Sequence, residues 1–135
     1  MTSEEASLLD LESVGAFWNS ELGRHVLGNA EWVRRELVFT ARFAAEELSG
    51  LTGQAGAVHE EFVVVQGVAD LVLLRPTEIE IIDFKTDRRV EPHLALYEVQ
   101  LKLYARALSR IYRRPVKQCW LYFLSARKAV EVKVA

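Results

Sequence analysis

The chain has 135 residues, half of them hydrophobic, with 17 basic and 19 acidic side chains and a formal charge of -2. So much apolar side chain must be buried, which excludes a mainly disordered chain; seven Gly and three Pro exclude a collagen-like one, and the lone Cys119 excludes a disulfide scaffold. The small net charge hides an asymmetry, since residues 1–84 carry 15 acidic and 5 basic side chains whereas residues 85–135 carry 12 basic and 4 acidic ones, a balance that permits nucleic acid on the second half.

In chain order, Leu11 to Leu27 predicts a helix from the near-helical recurrence of Phe17, Leu22 and Val26, with Asp10 or Ser13 as its cap and Gly28-Asn29 as its stop. From Trp32 to Phe43 the period changes to two, with Leu37, Phe39, Ala41 and Phe43 on one face, and a strand is expected. Residues 44–59, with three Gly, read as a surface connection. Phe62 to Leu74 is expected as a strand, with a bulge or a close backbone approach at Gly67. After a turn at Arg75-Pro76-Thr77, Ile79 to Lys85 reads as a buried strand. Pro92 opens a helix running to about Arg113, Pro115 marks its exit, and two closing strands follow at Gln118–Leu124 and Ala129–Val134. Helix, three-strand meander, helix and two strands make one α/β domain over 1–135. No apolar run approaches the ~18 residues of a membrane span, and the acidic amino terminus has no signal-peptide pattern, so a cytoplasmic setting is expected.

Asp70, Asp83 and Lys85 stand out because they interrupt apolar strands. Positions two apart share a strand face, so Asp83 and Lys85 point the same way, and a hairpin through the intervening turn can bring Asp70 beside Asp83. Two close carboxylates in a partly dry site repel, and a hard divalent cation such as Mg²⁺ or Mn²⁺ offsets that cost. Isolated strand charges are more often ion pairs, but the set of Asp70, Asp83 and Lys85 behind Ile81-Ile82 favours a functional site. Glu36, in Arg34-Arg35-Glu36-Leu37, reads alone as a solvated strand residue on the face opposite Leu37 and Phe39. On the long helix, Tyr97, Gln100, Tyr104, Leu108 and Ile111 share a face at about 100° per residue, and the amide of Gln100 needs a polar partner there. Lys102, Arg106 and Arg110 fall on the opposite face, as a solvent-facing stripe. His25, His59 and His93 lack metal-ligand spacing and read as surface or capping residues. Cys119 reads as a free core cysteine, and no Walker A pattern offers an ATP site.

The segments Arg35-Glu36-Leu37-Val38-Phe39, Val65-Gln66-Gly67-Val68-Ala69-Asp70-Leu71, Ile82-Asp83-Phe84-Lys85-Thr86-Asp87 and Tyr97-Glu98-Val99-Gln100-Leu101-Lys102-Leu103-Tyr104 resemble the PD-(D/E)XK nuclease superfamily, specifically the carboxyl-terminal nuclease domain of AddA- and RecB-type helicase-nucleases. Phe17-Trp18-Asn19-Ser20-Glu21-Leu22-Gly23 is similar to the AddA stretch before the first strand. The resemblance implies a restriction-endonuclease-like core with a mixed sheet of about five strands, and a metal-dependent DNA exonuclease in double-strand break repair. Asp70, Asp83 and the Phe84 carbonyl would hold Mg²⁺, with Mn²⁺ as a substitute, and Glu36 would join through the metal or its water. Lys85 would orient the attacking water, while Gln100 and Tyr104 would organise the site and contact DNA. It implies a fragment of a longer helicase-nuclease, with helicase domains on the same polypeptide and an AddB- or RecC-like partner subunit. Two departures are visible: Val38 replaces the family's Pro, and no equivalent is found of the metal-binding His on a preceding helix. A nuclease-fold module that binds DNA or a partner without cutting is the alternative.

Overall fold

The computed structural model describes residues 3–52, 62–91 and 93–134. Its elements are α1 (Ser3–Asn19), α2 (Glu21–Leu27), a short 3₁₀ turn (Ala30–Trp32), β1 (Val33–Phe43), α3 (Ala45–Thr52), β2 (Val63–Leu74), β3 (Ile79–Lys85), α4 (Leu94–Tyr112), β4 (Val116–Phe123) and β5 (Lys128–Val132). The five strands form one sheet in sequence order, antiparallel except for the β3–β4 pair. A tight turn at Arg75 joins β2 to β3, whereas the parallel step from β3 to β4 needs the α4 crossover.

Burial decides where each helix lies. Leu101, Ala105 and Leu108 recur at helical spacing on α4 and pack with Phe39, Ala69, Ile81, Leu121 and Phe123 on one sheet face. Phe17, Leu22 and Val26 of α1 and α2 cover the other face at Leu71, Leu73, Ile82 and Tyr122. Phe17 meets Trp18, Phe84 and Tyr122 edge-on, at centroid separations of 5.0, 4.9 and 4.8 Å. The outer face of β1 and β2 beyond that cover is exposed at Val38, Val64 and Val68. No described helix is long and apolar enough to cross a membrane.

Several expectations are corrected. The first helix is two helices, and Leu11 lies within α1, so neither Asp10 nor Ser13 caps a start there. The chain breaks at Ser20, whose extended backbone lets its side chain accept from Gly23 N–H at 3.1 Å. Residues 44–59 are not wholly a connection, because Ala45–Thr52 is helical; 53–61, His59 among them, lie outside the described residues. Glu47 begins α3 by reaching back to Ala44 N–H at 2.8 Å, half of a capping box with Ala in the cap position, a signal the residue types conceal. Pro92 also lies outside the described residues, and α4 starts at Leu94. Its basic stripe is not simply solvated: Arg106 donates to the Glu47 carbonyl, while Arg110 pairs with the Glu47 carboxylate and covers the Phe43 ring at 4.2 Å. His25 is not a plain surface residue, since its Nε2 lies 2.8 Å from the buried Glu80 carboxylate, which Arg75 meets at 3.1 Å. That cluster ties α2 to the β2–β3 turn.

Gly23 sits where helix two folds back on helix one: a Cβ there would lie 2.0 Å from the Phe17 carbonyl oxygen. Gly15 has nothing within 4 Å of the same position. Gly23→Ala is therefore expected to destabilise the chain by about 2 kcal/mol or more, whereas Gly15→Ala is neutral or stabilising by up to ~1 kcal/mol. Urea denaturation of both variants reads the contrast.

Candidate active site

The site forms where β3 leaves β2. The β2–β3 ladder runs from Leu74↔Ile79 to Leu71↔Ile82, and its next step would set Asp70 opposite Asp83. Beyond that point β2 continues against β1 alone, while β3 continues against β4. Phe84 N–H, freed of a backbone partner on β2, donates to Asp70 Oδ2 at 2.8 Å. The Asp70 carboxyl thereby stands in the fork of the sheet, close enough to Asp83 to oppose its ionisation.

β1 and β2 share an irregularity at this row. Leu37, Phe39, Ala41 and Phe43 face the α4 side, yet Val33 packs on the α1 side, although strict alternation would place it with Leu37. On β2, Val63, Val65 and Ala69 face α4, but Leu71 and Leu73 face α1. The inversion falls at Glu36, whose φ is 48°, and at Asp70, its cross-strand neighbour between the pairs Arg35↔Leu71 and Leu37↔Ala69. Both strands change phase together, so their register is unbroken. The expected bulge at Gly67 is therefore absent, while the close approach is real: a Cβ on Gly67 would lie 2.6 Å from the Tyr104 hydroxyl.

Lys85 Nζ joins strand to helix. It lies 2.9 Å from Asp83 Oδ2, donates to Gln100 Oε1 at 2.9 Å, and stands 4.2 Å from the centre of the Tyr97 ring. Gln100 Nε2 in turn reaches the Tyr104 hydroxyl at 3.5 Å. The amide on an otherwise apolar helix face thus has its partner. Sequence reasoning misses the anchor formed by Tyr97 and Asp87: Tyr97 donates to the Asp87 carboxylate at 3.0 Å, and His93 approaches the same carboxylate at 3.2 Å. Burial and the Asp87 carboxylate push the Tyr97 phenol upward, so it remains a donor. Nothing in residue spacing announces this anchor, because Asp87 lies in the irregular connection after β3 and Tyr97 in a helix.

Electrostatics mark the same spot. Asp83 is raised to about 6, first by burial and then by its hydrogen bond and repulsion with Asp70, against the opposing pull of Lys85. Cys119, by contrast, is an inert core thiol that burial pushes up to about 12. Glu36 is exposed and does not complete a cluster with the two aspartates: among the described residues no three His, Cys, Asp or Glu side chains converge as a metal site. Glu36 and Asp70 instead line a cleft of about 560 Å³ together with Phe17, Trp18, Arg35 and Phe84.

The fork of a mixed α/β sheet thus presents two acids and a tethered lysine. A family-wide comparison matches residues 2–135 to the PD-(D/E)XK nuclease superfamily. The chain is 38% identical to an AddA-type ATP-dependent helicase/nuclease protein of Bacillus cereus (strain Q1), over 98% of its own length and 11% of that protein. It is 36% identical to the corresponding helicase/nuclease protein of Moorella thermoacetica, over 99% of its length and 9% of that protein. It thus spans about a tenth of these relatives. The solved structure of SSO0001 superposes on 96% of this chain and 50% of its own, with a TM-score of 0.48 and 16% identity. The chain belongs to the PD-(D/E)XK nuclease superfamily, and its sequence relatives are AddA-type helicase/nuclease subunits.

A raised acid weakens the fold as it ionises. The contribution of Asp83 is fully present below about pH 4, its unfolded range, and is lost as pH rises through about 6. Asp83→Asn removes that loss but also the Lys85 ion pair, so the variant should gain on the wild type as pH goes from 4 to 7, by at most about 3 kcal/mol. Paired denaturation curves in chelator across that range test the sign.

Proposed function

We propose that this chain is a metal-dependent deoxyribonuclease module that degrades DNA exonucleolytically, on single strands delivered by helicase domains of the same polypeptide during double-strand break repair. The observation that carries the reading is the apposition of Asp70 and Asp83, with Lys85 held between Asp83 and Gln100. PD-(D/E)XK nucleases generally use divalent metal ions, and the donor chemistry here fits one: two carboxylates that resist joint ionisation gain from a hard cation. Asp70 and Asp83 would hold it. The Phe84 carbonyl would join them, because the N–H and C=O of a strand residue point to the same side and Phe84 N–H already faces Asp70. When bound, Mg²⁺ or Mn²⁺ supplies Lewis-acid polarisation and eases deprotonation of water near neutral pH.

The protein's own groups do the remainder. Lys85 orients the attacking water and balances charge that develops on the phosphate. Gln100 fixes the ammonium against Asp83, and Tyr104 packs beside the amide and contacts the strand. Glu36, exposed in the lining of the cleft, acts through water rather than by closing a ligand cage. The helicase domains, with an AddB- or RecC-like partner, would supply most of the DNA affinity, which a domain of net -2 tolerates.

A second reading is a DNA- or partner-binding module that does not cut. It is favoured by the absence of a third acidic or histidine ligand beside Asp70 and Asp83 among the described residues. End-labelled single-stranded DNA with Mg²⁺ or Mn²⁺ separates the two. The nuclease reading expects cleavage that falls by at least about 100-fold in Asp83→Ala and Lys85→Ala, with Mn²⁺ binding by calorimetry lost in Asp70→Ala. Binding without cleavage supports the second reading and overturns the first.

A further inference from the structure

The cleft beside Asp70 has walls that acid chemistry alone does not require. Phe17 and Trp18 of the first helix, Phe84 of β3, Leu71, Leu124 and the exposed Arg35 all line it. At about 560 Å³ it falls within the range of roughly 300–1,000 Å³ typical of organic ligand sites. A second cleft, of about 380 Å³, opens against Leu27 and Val33, and Trp18 and Arg35 line this one too. The same indole and guanidinium thus form the wall common to two hollows, one of which reaches the catalytic aspartate. Arg35 is exposed, and among the described residues it forms no ion pair or side-chain hydrogen bond. A cation without an acid partner beside an apolar trough suits a ligand with alternating flat rings and anions.

We propose that Trp18 and Arg35 form a single-strand DNA track: a nucleobase next to the scissile linkage stacks on the Trp18 side of the trough, and its phosphate pairs with Arg35. The inference rests on the nuclease reading for the identity of the polymer. Base–aromatic stacking is tolerant of sequence because every base has a π face, and a guanidinium matches phosphate with paired donors. Both features suit a strand that moves through the site rather than one read at a fixed sequence. The Glu36 carboxylate lines the same trough and repels a phosphate, which therefore settles on Arg35.

The test is binding without cutting: fluorescence anisotropy of a labelled oligothymidylate of about 12 nucleotides, in chelator, with the whole chain. Trp18→Leu is expected to weaken binding by about 5- to 100-fold, while Trp18→Phe keeps most of the affinity. Arg35→Gln should reduce the slope of log affinity against log salt by about 0.7. An abasic strand of the same length should bind the wild type more weakly and Trp18→Leu no differently from oligothymidylate. If Trp18→Leu does not fold, Trp18 left as the sole indole in Trp32→Phe/Trp120→Phe should be quenched by oligothymidylate and not by the abasic strand. Equal affinities for Trp18→Leu and wild type, no preference for bases over abasic sugar, or no binding at all would each overturn the proposal. Because no cation or cleavage enters the measurement, failure of the nuclease reading shows separately, as cutting indifferent to Asp83→Ala and Lys85→Ala.

Discussion

Two carboxyl groups, Asp70 and Asp83, are held together against their mutual repulsion, and much of the local structure follows from that constraint. They meet because β2 and β3 are a tight hairpin whose ladder stops one step short of them. They stay because Phe84 N–H holds one and Lys85 the other. The repulsion is tolerated because the sheet behind it is strongly apolar: Ile81 and Ile82 are fully buried on opposite faces, and Phe17 packs against Phe84 immediately behind the acid strand. Folding stability generated in the core is thereby spent on holding an electrostatically uncomfortable pair in place.

The helix that makes the parallel β3–β4 connection has a second task. α4 buries Leu101, Ala105 and Leu108 against the sheet, and the same helix brings Gln100 and Tyr97 onto Lys85 from two directions. The lysine is fixed by an amide, an aromatic face and a carboxylate, and Tyr97 is itself anchored on Asp87. Topology and site are therefore coupled: the crossover that lets β4 run parallel to β3 also limits where the ammonium can go. Gly67 is part of this coupling, since a Cβ there would press on the Tyr104 hydroxyl and push the ring from its place.

How far the sequence could be read follows from these particulars. β3 matched residue for residue because a dense run of β-branched side chains between a Pro-containing turn and a charged end has few alternatives. The Asp70–Asp83 meeting was legible from strand parity, and the need of Gln100 for a polar partner from an amide stranded on an apolar face, but not that Lys85 is that partner. The exposure of Glu36 on the face opposite Leu37 was legible too, but the placement of Val33 and Arg35 on that same side was not, because parity assumes an unbroken strand and the positive φ of Glu36 inverts the phase. The break at Ser20 was hidden by apolar spacing that continues through it, and α3 by an Ala in the cap position. The Glu80 cluster depends on a helix residue and a strand residue fifty-five positions apart, which no local pattern encodes.

The most direct measurement follows the side-chain carboxyl carbon of Asp83 by NMR as pH is varied, with and without Mg²⁺. The account predicts a midpoint near 6 in chelator that falls when the cation is added, because the neighbour that opposes ionisation is then screened by a shared positive charge. A midpoint in the ordinary aspartate range of about 3.9, unmoved by Mg²⁺, would contradict it.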